Sequence, residues 1–416
     1  MRRSFMGHLE DGYTRKSQMG PLRFNALSLF VCAALCAAPV LAAPPVDVSG
    51  QVRLRAEHVD DRQVSEDGQL LSLSANLKGV WEPAPRWSFA LSGEAVGALA
   101  GRFDDGEGLP QDRGVIPDPS LLSLDEAFAE YRPFAGARVR AGRQRIVYDD
   151  ERFIGAIAFR QNAQSFDAVS AKASVIGGLS IDLVSVFGVD RPLGPRGQPR
   201  RLESESLLLR AEVPFPFGSL VGYRYHLDLG DDADPSPVQG GRSLTYGAAV
   251  SGRIGTEPLS IGYLAELAQQ ENDETLETVP FGRARISASA SFWDVDVSYE
   301  RLGAGTQAFQ TPLGTNHAFQ GHADLFLTTP EDGLADLSIG GRLRLGDAGP
   351  FQRLQLSARA HQFDSTSDGE RYGRELDVTL SARWRRFALS AERADYQADG
   401  FAEDVTRWWL TAQTSF

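Results

Sequence analysis

From residue 47 onward the chain alternates. Val48, Val52, Leu54 and Ala56 interleave with Gln51, Arg53, Arg55 and Glu57, and Leu71, Leu73, Ala75 and Leu77 with Ser72, Ser74, Asn76 and Lys78. The same rhythm returns at Ala284, Ile286, Ala288 and Ala290 and at Leu354, Leu356 and Ala358. Successive side chains leave a strand on opposite sides, so a period of two marks strands with one apolar and one polar face. Each stretch runs about 10–13 residues. That length lets a tilted strand cross a bilayer, and it exceeds the five or six usual in soluble sheets. About eighteen strands are predicted, centred near residues 53, 76, 92, 126, 140, 170, 183, 208, 223, 248, 264, 286, 297, 340, 357, 378, 391 and 411.

The connections sort by length. Short ones fall at Pro83-Ala84-Pro85, Pro133-Phe134-Ala135-Gly136, Gly177-Gly178, Pro214-Phe215-Pro216, Gly255-Thr256-Glu257, Phe292-Trp293, Gly346-Asp347-Ala348-Gly349 and Arg385-Arg386. Between them lie long segments rich in Asp, Gly, Pro, Gln and Arg, near 100–120, 146–165 and 303–333 among others. Tight turns on one side and long loops on the other are the habit of bacterial outer-membrane barrels. The expected fold is therefore all-β: one transmembrane antiparallel barrel of about eighteen strands over residues 43–416, with both termini at the short-turn end. Sandwiches and propellers have shorter strands and do not sort their loops this way.

Composition fits this reading. Hydrophobic residues make up 42% of the 416, and beyond the N-terminus no apolar run is long enough for a membrane helix. At the N-terminus Arg23 precedes an apolar run from Ala26 to Leu41, and Val40-Leu41-Ala42 forms a small-x-small cleavage site. Residues 1–42 are predicted to be a signal peptide with a long leading region, Met19 being a possible start. Both cysteines, Cys32 and Cys36, fall inside it, so the mature chain has no thiol chemistry. A net charge of -13 argues against nucleic-acid binding. The alternating last strand ends on Phe416, the usual signal to the barrel-assembly machinery, with Trp408, Leu410, Ala412 and Phe416 facing outer-membrane lipid. Trp81, Trp87, Tyr131, Tyr223, Tyr225, Tyr246, Tyr299, Trp384 and Tyr396 are candidates for the aromatic girdles.

Strand parity assigns the lumen. Arg53, Arg55, Arg138, Arg140, Arg210, Arg224, Arg253, Arg283, Arg285, Arg342, Arg344, Arg353, Arg359 and Arg383 are expected to point inward, with acids that include Glu126 and Glu130. Arginine stays charged and grips carboxylates through a planar fork. At least half of these cations are expected to pair with wall acids, leaving a minority to favour anions in a pore. No metal or cofactor is expected, and His317, His322 and Asp324 read as a hydrogen-bonded loop folded into the lumen. Enzymatic activity is not expected. Ser357 and His361 share a face of one strand but sit roughly 13 Å apart by strand rise, too far for a nucleophile and its base.

Two loops carry more specific sequence. The first runs from Gly142-Arg143-Gln144-Arg145 through Asp149-Asp150-Glu151-Arg152 to Asn162 and Ser165-Phe166-Asp167; the second runs from Thr311-Pro312 through Asn316-His317-Ala318-Phe319 to Asp324 and Pro330. In the first, Arg143, Arg152 and Asp167 are expected to pin the loop to the wall, with Asp149–Glu151 as a solvated face or as partners for Arg143, Arg145 and Arg152. With Tyr372-Gly373-Arg374-Glu375-Leu376-Asp377 and Trp408-Trp409, these segments resemble the alginate-export family of outer-membrane porins. The resemblance implies a monomeric eighteen-stranded channel in the Gram-negative outer membrane with an electropositive pore that passes anionic polysaccharide or uronate-like solutes. It also implies a long gating turn between the third- and second-last strands, where this chain has Arg385-Arg386. The alternative expectation is a general nutrient porin for small anions.

Overall fold

A computed structural model of the protein describes residues 46–106, 112–192, 200–230, 238–256 and 258–416. The expected signal peptide lies outside them. Eighteen strands follow one another: β1 Val46–Asp61, β2 Gly68–Ala84, β3 Trp87–Arg102, β4 Leu121–Tyr131, β5 Ala137–Gln144 and β6 Ser165–Ser174. Next come β7 Ser180–Asp190, β8 Arg201–Phe215, β9 Gly218–Asp228, β10 Arg242–Thr256, β11 Leu259–Asn272 and β12 Thr278–Ser289. The last six are β13 Trp293–Leu302, β14 Leu334–Ala348, β15 Phe351–Asp364, β16 Arg371–Trp384, β17 Phe387–Ala398 and β18 Val405–Ser415. Each of the eighteen predicted centres falls in its own strand.

Every strand pairs antiparallel with its neighbours in sequence, and β1 also pairs with β18, which closes the sheet. Closure removes the open edges that lipid cannot satisfy. At the seam Gly50 and Phe416 exchange both backbone hydrogen bonds, at 2.9 and 3.0 Å. A side chain at Gly50 would run into the Phe416 ring, so glycine at this position lets the last residue dock.

The outward faces carry exposed apolar side chains such as Leu91, Leu122, Leu267, Ile286 and Leu410, as a lipid-facing wall requires. Trp81 and Trp87 are exposed among them. The girdle expectation fails for Tyr223, Tyr225 and Tyr396, which are buried inside the barrel. Their rings serve an interior core. Phe153 packs on Tyr223, Phe281 and Phe309 with centroids 5.3, 5.2 and 6.0 Å away. Phe326 packs on Phe363, Tyr372, Tyr396 and Phe401. Both cores exist because two long loops, residues 145–164 and 303–333, fold back into the barrel and need apolar wall to rest on.

Candidate functional site: the lumen and its infolded loops

Parity delivers most of the arginines to the lumen, and the acids opposite claim many of them. Arg140 binds Glu130 at 2.7 Å, Arg283 binds Glu266 at 2.6 Å, Arg344 binds Asp294 at 2.5 Å and Arg359 binds Asp296 at 2.7 Å. Arg210 is shared between Asp149 and Glu212. Glu126 pairs with Lys78. These are wall braces, and they neutralise themselves.

A second set meets no carboxylate among the described residues. Arg53 donates to the carbonyls of Ala158, Phe159 and Arg160 at 3.1–3.2 Å and to Gln413 at 3.0 Å. Arg55 donates to the Phe159 carbonyl at 2.9 Å. Both therefore hold the first loop by its backbone. Arg253 donates to Ser260 and Arg342 to Ser357. Arg253, Arg285 and Arg342 face one cavity of about 600 Å³, beneath Ala318 and His322 of the second loop. Arg138 and Arg383 have no acidic partner among the described residues either.

Two inward assignments are corrected. Arg224 points away from the lumen: in β9 the buried positions are Val221, Tyr223, Tyr225 and Leu227, and Arg224 is exposed between them. The apolar set turns inward there because Phe153 waits on the inside. Arg353 sits in a bulge, where the pairing of β15 with β16 skips from Gln352 to Gln355. Its backbone adopts φ 51°, so simple alternation does not govern it.

The two loops clasp each other. Gly155 donates its N–H to the Leu313 carbonyl and Thr315 to the Glu151 carbonyl, both at 2.9 Å. Gln164 reaches the carbonyls of Gly155 and Leu313. Arg152 is fully enclosed; it binds Glu300 at 2.8 Å, Thr311 at 2.8 Å and Asn316 at 3.1 Å, and lies over the Phe319 ring. Arg160 pairs with Asp324, whose other oxygen meets His317 Nδ1 at 2.7 Å. His322 stacks on His317. Burial pushes His317 down to about 4, against the pull of Asp324, so at neutral pH the ring is uncharged and donates Nδ1–H to the carboxylate.

The pinning set divides. Arg143 binds Asp167 at 2.8 Å and Asp190 at 3.0 Å, holding β5 to β6 and β7, while Arg152 works elsewhere, between the loops. Gln144 accepts from Ser170 and donates to the Ala168 carbonyl. The acids Asp149–Glu151 do not serve Arg143, Arg145 or Arg152. Asp149 goes to Arg210, Asp150 to Arg283 at 2.7 Å, and Glu151 to Thr315 and the Ala156 N–H. The loop spans the lumen instead of folding onto its own stem, so its acids meet distant strands. Arg145 binds Asp125 at 2.9 Å. Simple alternation assigns Glu126 inward and its neighbour Asp125 outward, yet both are buried. A register shift of β3 against β4 at Ser92/Gly93 lets both face in, and two adjacent acids in a strand were the available signal. Arg160 carried no signal that separated it from other loop arginines.

This architecture can be compared with known proteins. Residues 45–192 match the family model described as alginate export. Over that segment the chain is similar to the alginate-export family. Solved barrels share the fold along the whole length. OccAB4 of Acinetobacter baumannii is 12% identical, with a TM-score of 0.70 over 90% of this chain and 99% of that one. OccK9 (OpdG) of Pseudomonas aeruginosa is 14% identical, with a TM-score of 0.68 over 89% and 98%. OpdK of the same organism, solved with vanillate, is 12% identical, with a TM-score of 0.64 over 89% and 98%. No curated protein matches in sequence. The chain thus has the closed eighteen-stranded fold of these porin barrels, with its long loops gathered at one end.

Proposed function

We propose that this alginate-export-type barrel conducts small carboxylate-bearing anions, uronate-like solutes among them, by passive diffusion. One observation carries the reading: Arg253, Arg285 and Arg342 line a cavity of about 600 Å³, beside Asp294, Asp296 and Asp377, yet make no ion pair among the described residues. A cation that is not neutralised by the wall lowers the energy of a passing anion. A cavity of this size suits a monomeric or short solute. Extended anionic polysaccharide is the second reading, favoured by the family match; it requires a path past both infolded loops. The chain is read as a monomer that encloses its own lumen, with Phe416 as the assembly signal and a leader cleaved after Ala42.

The test is the reversal potential of single channels in a salt gradient. Wild type is expected to favour chloride over potassium. The triple variant Arg253→Gln, Arg285→Gln, Arg342→Gln is expected to lose most of that preference while Arg140 and Arg283, already paired, hold the wall. A cation-selective wild type, or a triple variant with undiminished anion preference, overturns the assignment. Blockade by low concentrations of an oligouronate would move the reading to polysaccharide.

A further inference from the structure

The outward face of β9 to β12 is laid out in rows by strand register. Arg224 pairs with Tyr246, Tyr246 with Gln269 and Gln269 with Pro280, so these four outward side chains stand at one level. One row toward the long loops come His226, Leu244, Glu271 and Thr278. One row the other way come Gly222, Ala248, Leu267 and Gly282, and beyond them Leu220, Val250, Ala265 and Ala284. The row of Arg224 therefore marks the change from polar to apolar surface. That is the level at which lipid headgroups meet a barrel wall.

The wall is hollow at this level. An open groove of about 860 Å³ is lined on its outward side by Arg224, Tyr246, Ala248, Leu267, Gln269 and Pro280. It exists because the row below consists mostly of residues with little or no side chain. Leu267, 74% exposed, stands up from that row as a ridge, and at Gly222 a side chain would meet nothing within 4 Å. The groove is apolar along its length and polar at the end nearer the loops. There Arg224 is exposed and makes no hydrogen bond or ion pair among the described residues. Glu271, one row up, is engaged by the Tyr246 hydroxyl at 3.2 Å, and the same hydroxyl meets Gln269 Oε1 at 2.9 Å. The Gln269 amide nitrogen has no partner among the described residues.

We infer that this groove seats one anionic, phosphate-bearing lipid of the surrounding bilayer, its phosphate on Arg224 and the Gln269 amide, and an acyl chain laid over Ala248 against Leu267. An arginine on a lipid-facing wall is unfavourable unless it sits at the interface and meets an anion. Its planar fork matches phosphate oxygens. A chain seated in a groove also touches wall on several sides, where a flat surface offers one, so it gains more dispersion contact than its neighbours. The inference rests on the reading of the barrel as a membrane protein and uses no residue of the lumen.

The experiment is native mass spectrometry of the purified full-length barrel, in detergent that strips the bulk lipid, after addition of dimyristoyl phosphatidylglycerol or dimyristoyl phosphatidylcholine. Wild type is expected to retain one phosphatidylglycerol, about fivefold or more tighter than phosphatidylcholine, as a charge-assisted pair without a competing cation on the lipid allows. Arg224→Gln is expected to abolish that preference and Arg224→Lys to keep part of it. Ala248→Leu, which fills the groove at an exposed position, is expected to weaken both lipids alike and leave the preference in place. Resistance of the folded barrel to detergent unfolding checks that each variant is assembled. Equal retention of the two lipids by wild type, or a preference that survives Arg224→Gln, overturns the headgroup assignment. Unchanged retention in Ala248→Leu overturns the groove as the acyl seat, and displacement of the lipid by inorganic phosphate would reduce the site to one for a free anion. Ion selectivity is expected to be the same in Arg224→Gln as in wild type, so a cation-selective pore would overturn the channel reading without touching this one.

Discussion

At the scale of single residues, the arginines divide by partner, and the division decides what each can do. Arg152 is the most committed. Its side chain is 1% exposed and that of Glu300 7%, so neither charge has water to fall back on. Removing one partner of a buried pair costs about 3–5 kcal/mol, because the other is left uncompensated. Arg152→Met is therefore expected to undock the first loop from β13 and loosen its hold on Thr311 and Asn316 of the second, seen as new protease cleavage within residues 145–164 of the assembled barrel. Pairing it with Glu300→Gln should restore part of the protection. A single variant as resistant as wild type would contradict the role given to the pair. Arg253, Arg285 and Arg342 are the opposite case, since they make no ion pair among the described residues.

At the scale of elements, the strands were legible in the sequence because lipid outside and water inside impose a period of two. The interior contents were less so. Wherever a loop packs against the wall, the inward face becomes apolar and the rule of polar inside fails. Tyr223 and Tyr225 turn inward toward Phe153 for that reason, and Arg224 is displaced outward between them. The loop motifs flagged the right segments, yet not their partners. Asp149 and Asp150 cross the lumen to Arg210 and Arg283, contacts about 60 and 130 residues away that no local pattern encodes.

The second loop also has a titratable clasp. His317 faces Asp324, with Arg160 and His322 beside it. Its docked pKa of about 4 lies below the ordinary 6.5, so the undocked loop binds a proton that the docked loop excludes. Docking is then fully favoured above pH 6.5 and weakens as pH falls from 6.5 toward 4. Single-channel records are expected to show more frequent transitions to larger conductance at pH 4.5 than at pH 7.5. His317→Gln should flatten the difference between the two conditions. A gating frequency in wild type that does not change across this range would remove His317 from the account.

At the scale of the whole molecule, one closed sheet serves both as membrane wall and as support for what it contains. The alternation of short and long connections puts the long loops at one end, so both infolded loops enter the barrel from the same side. At the other end the turn from β16 to β17 is just Arg385-Arg386, and the chain lacks the long gating turn that the family resemblance implied there. Under the channel reading, control of the aperture is expected to fall to the infolded loops.

The seam gives that control a mechanical input. Arg53 and Arg55, which hold the carbonyls of Ala158, Phe159 and Arg160, both stand on β1, and both also reach across to β18, to Gln413 and Thr411. The junction that completes the cylinder is the ledge on which the first loop rests. A lateral load on the seam reaches that ledge directly, so under the channel reading the aperture is expected to respond to stress in the surrounding bilayer. Conductance recorded in membranes of progressively thinner acyl chains should rise as mismatch grows. Identical conductance in thin and thick bilayers would show that the ledge is rigid and the pore deaf to its membrane.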